Sequence, residues 1–165
     1  MKNEIILGID PGTAVTGYGI IEVGAKIIPL DFGCIRPPRG KLNSMRYRII
    51  FEGLAQLIEK YRPTACAVEK QYVDKNVHSA MTLGIARGMA ILAATLQEIP
   101  IFEYSPTRAK CAVTGTGKAS KIQVQGMIRQ LLSLKIDPTP EDAADALALA
   151  ICHANAARSG RCQRV

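Results

Sequence analysis

Residues 5–13 read Ile5-Ile6-Leu7-Gly8-Ile9-Asp10-Pro11-Gly12-Thr13, an apolar run that ends in an acid and a turn. A run without polar alternation is typical of a strand that is buried on both faces. Pro11 and Gly12 then fill the two central positions of a predicted type II turn. Further apolar runs follow at residues 17–23 and 27–35, so we expect the fold to open with three antiparallel strands.

Past residue 35, predicted helices and strands alternate. The apolar spacing from Ile50 to Tyr61 indicates an amphipathic helix that ends before Pro63. The remaining predicted elements are a strand at residues 65–69, a helix at about 77–97, a strand at 101–104, a helix capped by Ser120 and a last helix from about 140 to 157. This order predicts one α/β domain over residues 1–157, with a mixed five-stranded sheet flanked by helices. The basic residues 158–165 are expected to form a flexible tail.

The charge of the chain indicates a polyanionic partner. Its 165 residues carry 21 Lys and Arg against 14 Asp and Glu, a net charge of +7. Such a surface attracts DNA, RNA or an anionic membrane, and composition alone does not separate these. A mean hydropathy of +0.10 excludes a disordered chain. The length and the lack of internal repeats argue against two-domain enzymes and repeat arrays.

The sequence favours a reduced, cytoplasmic compartment without a membrane anchor. The first apolar run is too short for a signal peptide and lacks a small-residue cleavage site. The longest apolar stretch, residues 80–96, is interrupted by Gly84, Arg87 and Gly88, which argues against a bilayer span. Five cysteines, an odd count without a CxxC motif, argue against both a disulfide framework and a structural zinc site.

Four acids occupy positions where an ionised carboxylate is costly. Asp10 and Glu69 each end a predicted buried strand, and Asp142 and Asp145 share one face of the last helix. Apolar residues flank Asp145 on both sides, and that helix contains no Lys or Arg before residue 158. Buried carboxylates require a partner or a metal ion. An all-oxygen cluster of this kind suits Mg²⁺ or Mn²⁺ rather than zinc.

Some of these acids also have a simpler interpretation. Asp10 before Pro-Gly suits a turn, and Asp142 suits the first turn of a helix, where the dipole favours acids. Asp145 is harder to explain in this way, and the combination of all four favours a metal site.

Basic residues lie near these acids in the predicted fold. Lys110, Lys118 and Lys121 surround a Gly-Thr-Gly loop at residues 115–117, and basic residues follow Glu69 with an aromatic between them. Lysines interleaved with an aromatic suit a nucleic-acid backbone with a stacked base. For any single lysine a solvated loop is the simpler interpretation.

Several motifs, in order and with their spacing, resemble the RuvC family of Holliday-junction resolvases. They are Ile9-Asp10-Pro11-Gly12-Thr13, Thr16-Gly17-Tyr18-Gly19, Val68-Glu69, Lys75-Asn76, Gly84-Ile85-Ala86-Arg87-Gly88 and Asp142-Ala143-Ala144-Asp145-Ala146. The resemblance runs from residue 5 to about 154. It implies a ribonuclease-H-like fold, a homodimer, and a DNA recombination and repair function in which two opposed strands of a four-way DNA junction are nicked. It also implies the RuvA and RuvB branch-migration proteins as partners.

The resemblance assigns roles to residues at the matching positions. Asp10, Glu69, Asp142 and Asp145 become the ligands of two Mg²⁺ ions, for which Mn²⁺ can substitute. Lys121 joins them as a catalytic residue that offsets charge on the phosphate. The DNA-contacting residues that we infer are Tyr72, Lys75, Asn76, Arg87, Lys110, Lys118 and Lys121. Tyr72 falls where the family commonly has phenylalanine, and Asp74 adds an acid to a polar segment after Glu69.

From these assignments we expect symmetric paired nicks that leave 5′-phosphate and 3′-hydroxyl ends. Three rivals remain at this point. A strand-Asp-x-Gly-Thr turn also opens actin-like ATPases and sugar kinases, but those need two such domains. A junction-binding protein without activity would gain nothing from the costly acids. A generic ribonuclease-H relative would differ in its choice of substrate.

Overall fold

The computed structural model describes residues 3–71, 76–135, 139–162 and 164–165. Within them, the chain forms five strands and five helices in the order β1 (Glu4–Asp10), β2 (Thr16–Val23), β3 (Ile27–Ile35), α1 (Asn43–Tyr61), β4 (Ala65–Glu69), α2 (Val77–Thr95), β5 (Ile101–Tyr104), α3 (Pro106–Thr114), α4 (Lys121–Leu131) and α5 (Glu141–Arg158).

The five strands form one mixed sheet with the order β3-β2-β1-β4-β5. β1 pairs antiparallel with β2 and β2 antiparallel with β3, which confirms the predicted opening meander. β4 lies parallel to β1, and β5 parallel to β4. The connections between the parallel strands contain α1 and α2, because parallel neighbours need a long crossover that is usually helical. β1 is therefore the central strand.

Helices cover both faces of the sheet, and each face has its own core. On one face, α1 and α2 bury residues such as Ile50 and Ala90 against Leu7, Ile9 and Val68. On the other face, α3, α4 and α5 pack against the sheet in a second cluster, which contains residues such as Ile6, Ala67, Tyr104 and Leu147. Because β1 and β4 are covered on both sides, their continuous apolar runs are explained.

α5 approaches the sheet closely because glycines on β1 and β2 make room for it. A Cβ built on Gly8 would lie 2.0 Å from the carbonyl oxygen of Ala146. A Cβ on Gly19, which pairs with Gly8 across the two strands, would lie 2.6 Å from the Leu147 side chain. α5 therefore rests on the backbone of the two strands, which fixes its position over the sheet.

Two local features differ from expectation. α3 was not predicted, because only Ala109 and Val113 of its nine residues are buried and the apolar period is short. Gly12 does not adopt the positive φ of a type II turn. Its role is steric, since a Cβ there would lie 2.3 Å from the carbonyl oxygen of Val15, and the Thr16 hydroxyl donates a 2.7 Å hydrogen bond to the Gly12 carbonyl.

The C-terminal residues contact the sheet rather than standing apart from it. α5 continues to Arg158, one residue past the expected boundary. Arg164 forms an isolated antiparallel bridge with Phe102, and the Val165 N–H donates to the carbonyl of Ile101 at 3.1 Å. The described residues of this tail thus cover part of the outer edge of β5, an edge that would otherwise expose unpaired backbone groups.

Candidate active site

Asp10 and Glu69 end neighbouring parallel strands and point to the same face of the sheet. Ile9 pairs with Val68, so the next residues, Asp10 and Glu69, are side by side at the carboxyl ends of β1 and β4. Ile9 and Val68 both belong to the core beneath α1 and α2. Because side chains alternate along a strand, the two acids face α5.

α5 brings Asp142 and Asp145 to the same place. Gly17 pairs with Asp10 across β1 and β2. A Cβ on Gly17 would lie 2.9 Å from the Cβ of Asp142, so the first turn of α5 lies directly over this strand pair. Asp145 follows one turn later, and both acids are half-buried.

Burial and mutual repulsion dominate the electrostatics of the site. The pKa of Asp10 is raised to about 8, first by burial and then by the charges of Glu69, Asp145 and Asp142. The pKa of Glu69 is raised by burial and by Asp145, while Lys110 opposes the shift. The pKa of Asp145 is likewise raised, by burial and by Glu141. The charges of the other three predicted acids therefore all act on Asp10.

The donor set fits a hard divalent cation better than any other metal. All four side chains offer only carboxylate oxygens, the ligands that Mg²⁺ and Mn²⁺ prefer. A bound cation would remove the repulsion that raises the pKa of Asp10. Within the described ranges, no three His, Cys, Asp or Glu side chains are drawn together closely enough to form a ready-made metal cage. The four acids therefore interact through the charge of Asp10 without forming such a cage.

Two of the predicted lysines lie within electrostatic reach of the acids. Lys110, half-buried on α3, lowers the pKa of both Glu69 and Asp145. Lys121, the first residue of α4, forms an ion pair with Glu141 and also stabilises the ionised form of Asp10 and Asp145. Lys118 is exposed in the connection between α3 and α4, where its N–H donates to the Thr116 hydroxyl at 3.3 Å.

Sequence reasoning did not identify Glu141 as part of the site. This fifth carboxylate holds Lys121 and raises the pKa of Asp145. Its sequence signal was present, one residue before Asp142, but an acid in the first turn of a helix has an ordinary explanation in the helix dipole.

The remaining residues predicted to contact DNA differ in where the structure places them. Asn76 caps α2, where its side-chain oxygen accepts a 3.1 Å hydrogen bond from the Ser79 N–H. Arg87 lies on the α2 side of the sheet, opposite the acids, and forms an ion pair with Glu103 of β5. Burial lowers its pKa. The structure therefore gives Arg87 an internal partner, and we do not retain it as a DNA contact. Tyr72 and Lys75 lie outside the described residues.

This fold, with acids gathered at the carboxyl ends of its central strands and on α5, defines a nuclease of the ribonuclease-H-like class. The family model described as "Crossover junction endodeoxyribonuclease RuvC" matches residues 6–153. The chain belongs to the RuvC family of crossover junction endodeoxyribonucleases.

Other members of the family resemble this chain in sequence and in structure. The RuvC of Protochlamydia amoebophila is 60% identical over 156 residues, covering 93% of each chain. The RuvC of Desulforamulus reducens is 48% identical and covers 91% of this chain and 93% of its own. Among solved structures, T. thermophilus RuvC in complex with Holliday junction substrate superimposes with a TM-score of 0.91 at 34% identity, covering 98% of this chain and 99% of that one. The yeast mitochondrial Holliday junction resolvase Ydc2 shares the fold, with a TM-score of 0.63 at 16% identity over 94% of this chain and 82% of that one.

Proposed function

We propose that this chain resolves Holliday junctions by cutting two opposed strands symmetrically, leaving 5′-phosphate and 3′-hydroxyl ends. The observation that carries the proposal is the convergence of Asp10, Glu69, Asp142 and Asp145 at one edge of the sheet in a RuvC-family chain. The junction bound by the T. thermophilus relative supports the choice of substrate.

The four acids would hold two Mg²⁺ ions, with Mn²⁺ able to replace them. When bound, such ions stabilise charge on the phosphate and make water a stronger nucleophile. The chain's own contribution is position. β1 and β4 fix Asp10 and Glu69, the glycine contacts of β2 fix the first turn of α5, and all four acids are half-buried.

Lys110 and Lys121 would balance the negative charge that a DNA phosphate adds to the site. Both already interact with acids of the cluster, Lys110 with Glu69 and Lys121 with Asp10. Glu141 holds the ammonium of Lys121 beside Asp145, which makes Glu141 a positioning residue for Lys121. Tyr72, Lys75, Asn76 and Lys118 remain proposed DNA contacts, because they follow Glu69 or lie in the loop beside Lys121.

The active form would be a homodimer, since one chain carries one acid cluster and a junction needs two cuts. α2 offers the surface. Exposed apolar residues on one side of α2, together with Leu96 directly after it, form a stripe with spacings of four to seven residues: Val77, Met81, Ile85, Leu92 and Leu96. A Cβ on Gly88, within the same stripe, would meet no atom within 4 Å.

A membrane span is a second explanation for the apolar character of α2. By length and composition alone, α2 would be apolar enough to cross a membrane, which is weak evidence because helices of soluble folds pass the same test. Because α2 connects β4 to β5 and packs against one face of the sheet, we assign it to the folded domain and not to a bilayer. We further propose a cytoplasmic protein, a single nuclease domain over residues 1–157, and RuvA and RuvB as partners, on the strength of the family.

A comparison of substrates tests the proposed reaction. The purified chain is incubated with Mg²⁺ and a four-way junction, a linear duplex of the same sequence, or an RNA–DNA hybrid. We expect cleavage of the junction in preference to the other two, with nicks at symmetric positions in opposed strands and 5′-phosphate ends. Preferential cleavage of the hybrid would instead assign the chain a ribonuclease-H activity, and ATP turnover without nicking would assign it to the phosphate-transferring relatives.

A further inference from the structure

A groove next to the acid cluster contains an arginine whose buried Nε has no hydrogen-bond partner in the described part of the chain. The groove has a volume of about 620 Å³. It lies between the β1–β2 turn, the start of α1 and the start of α2, and it reaches Asp142. Its polar lining includes Thr13, Asn43, Arg46, His78 and Thr82, and we call it the Arg46 groove.

The guanidinium of Arg46 makes the groove unusual. Its Nε atom is buried and has no hydrogen-bond partner among the described residues. Across the residues that the structure describes, one other buried side-chain atom lacks a partner, the Nε of Arg87, and its guanidinium pairs with Glu103. No ion pair to Arg46 is formed in the described part of the chain. Buried polar groups are nearly always satisfied, so an unsatisfied arginine that lines a groove points to a ligand with acceptor oxygens.

The surroundings of Arg46 favour an anion. Of the described residues that line the groove, Asp142 is the one acid, and it lies at the end next to the acid cluster. Neither α1 nor α2 has an acidic residue in its first turn, and Leu42 gives α1 no side-chain cap. The N–H groups at the start of α1 therefore add to the positive character that Arg46 supplies.

We propose that the Arg46 groove binds a backbone phosphate of the DNA strand, within two nucleotides of the phosphate at the acid cluster. This inference rests on the proposed function, because Asp142 belongs both to the groove and to the cluster. Arg46 would orient the strand as it enters the site, and it is a positioning residue for the cut.

The groove is separate from the proposed dimer surface. Thr82, which lines the groove, is followed one turn later by the buried Ala86. Met81, in the apolar stripe, is followed one turn later by the exposed Ile85. The two surfaces thus occupy different sides of α2, and a partner chain on the stripe leaves the groove open to DNA.

Arg46→Gln and Arg48→Gln form a matched pair for the test. Arg48 lies two residues away on α1 with the same charge, but its side chain is exposed and pairs with Glu52. Affinity for a labelled four-way junction is measured in EDTA over a range of salt concentrations. We expect Arg46→Gln to weaken binding about five- to twentyfold and to reduce the salt slope by about one phosphate contact. We expect Arg48→Gln to bind like the wild type and Arg46→Lys to recover part of the affinity.

A DNA-side measurement excludes a merely structural effect of the Arg46 change. Single phosphates around the cut are replaced by neutral methylphosphonates. One of them should weaken wild-type binding and have no effect on Arg46→Gln. If every replacement affects the two proteins equally, or if both glutamine variants bind alike, the phosphate site at Arg46 is wrong. If the phosphate maps to Arg46 but the wild type does not prefer junctions to duplex, the proposed function fails and the groove assignment stands.

Discussion

Gly17 lies beneath Asp142 so closely that a Cβ on Gly17 would fall 2.0 Å from the Asp142 carbonyl oxygen. Gly17 also pairs with Asp10 across β1 and β2. One glycine therefore sets the distance between an acid of the sheet and an acid of α5. Residues far apart in the sequence meet at this point, and the acid cluster depends on it.

Gly17→Ala should displace the first turn of α5 and disable the site. Since the added methyl group would meet backbone atoms that cannot yield, we expect a loss of about 3 kcal/mol in the free energy of unfolding. Junction cleavage should fall more than the fraction of folded protein explains. Gly126→Ala is the control, because a Cβ there meets nothing within 4 Å and alanine favours a helix. The free energy of unfolding in urea and the rate of junction cleavage are measured for both variants. A Gly17→Ala protein that is active and fully stable would contradict the proposed contact.

Asp10→Asn should stabilise the metal-free protein while abolishing cleavage. The pKa of Asp10 is raised from 3.8 to about 8 in the folded state, so the unfolded chain releases this proton first and stability is lost as the pH rises from about 4 to 8. At pH 7.5 in EDTA, we expect Asn at this position to add about 1–3 kcal/mol. The gain should shrink at pH 5.5.

The exposed Glu59→Gln on α1 provides the control for Asp10→Asn, and it should change neither stability nor cleavage. Added Mg²⁺ should raise the melting temperature of the wild type and leave that of Asp10→Asn nearly unchanged. A stabilised variant that still cuts junctions in Mg²⁺ would remove Asp10 from the proposed machinery.

Met81→Glu should dissociate the proposed dimer. Met81 is 64% exposed within the apolar stripe on α2, and burying an unpaired charge between two copies is costly. We expect a monomer by sedimentation, with an unchanged circular dichroism spectrum and far fewer paired nicks. Ile28→Glu, at an exposed apolar position on β3, should leave the association state unchanged. A dimer that persists in Met81→Glu would place the interface elsewhere.

Arg87→Met should affect stability and not DNA affinity. Its partner Glu103 is mostly buried, so removing the arginine leaves a carboxylate unpaired, and we expect a loss of about 1–3 kcal/mol. Arg87→Met combined with Glu103→Met should recover much of this loss. Junction affinity, corrected for the folded fraction, should match the wild type. A reduced salt slope in Arg87→Met would restore Arg87 as a DNA contact.

The parts that sequence reasoning identified correctly share one property, which is that their signal is local. The buried strands that end at Asp10 and Glu69, and the apolar helix α5, are each visible in a single segment. Ser120 caps α4 in a capping box with Gln123, a four-residue signal.

What the sequence could not predict depends on pairs from different segments. The Glu141 partner of Lys121 and the Glu103 partner of Arg87 are set by how α5 and α2 pack, and no spacing rule encodes them. The Pro11-Gly12 pair is consistent both with a turn that needs a positive φ and with one that needs space. The position of the Val15 carbonyl in the structure shows that Gly12 is needed because a side chain there would have no space.

His153 should make the stability of the fold fall between pH 7 and 5. Its ring is buried against Phe102 and forms a 2.7 Å hydrogen bond with the Tyr104 hydroxyl. Burial lowers its pKa from 6.5 to about 4, so the unfolded chain binds the proton first. Stability is therefore lost as the pH falls from about 6.5 towards 4, by about 2 kcal/mol at pH 5. Urea unfolding of His153→Gln should lack this component, whereas His78→Gln, at the exposed second histidine, should keep it. Parallel pH profiles for the wild type and His153→Gln would show that the buried ring does not cause the loss.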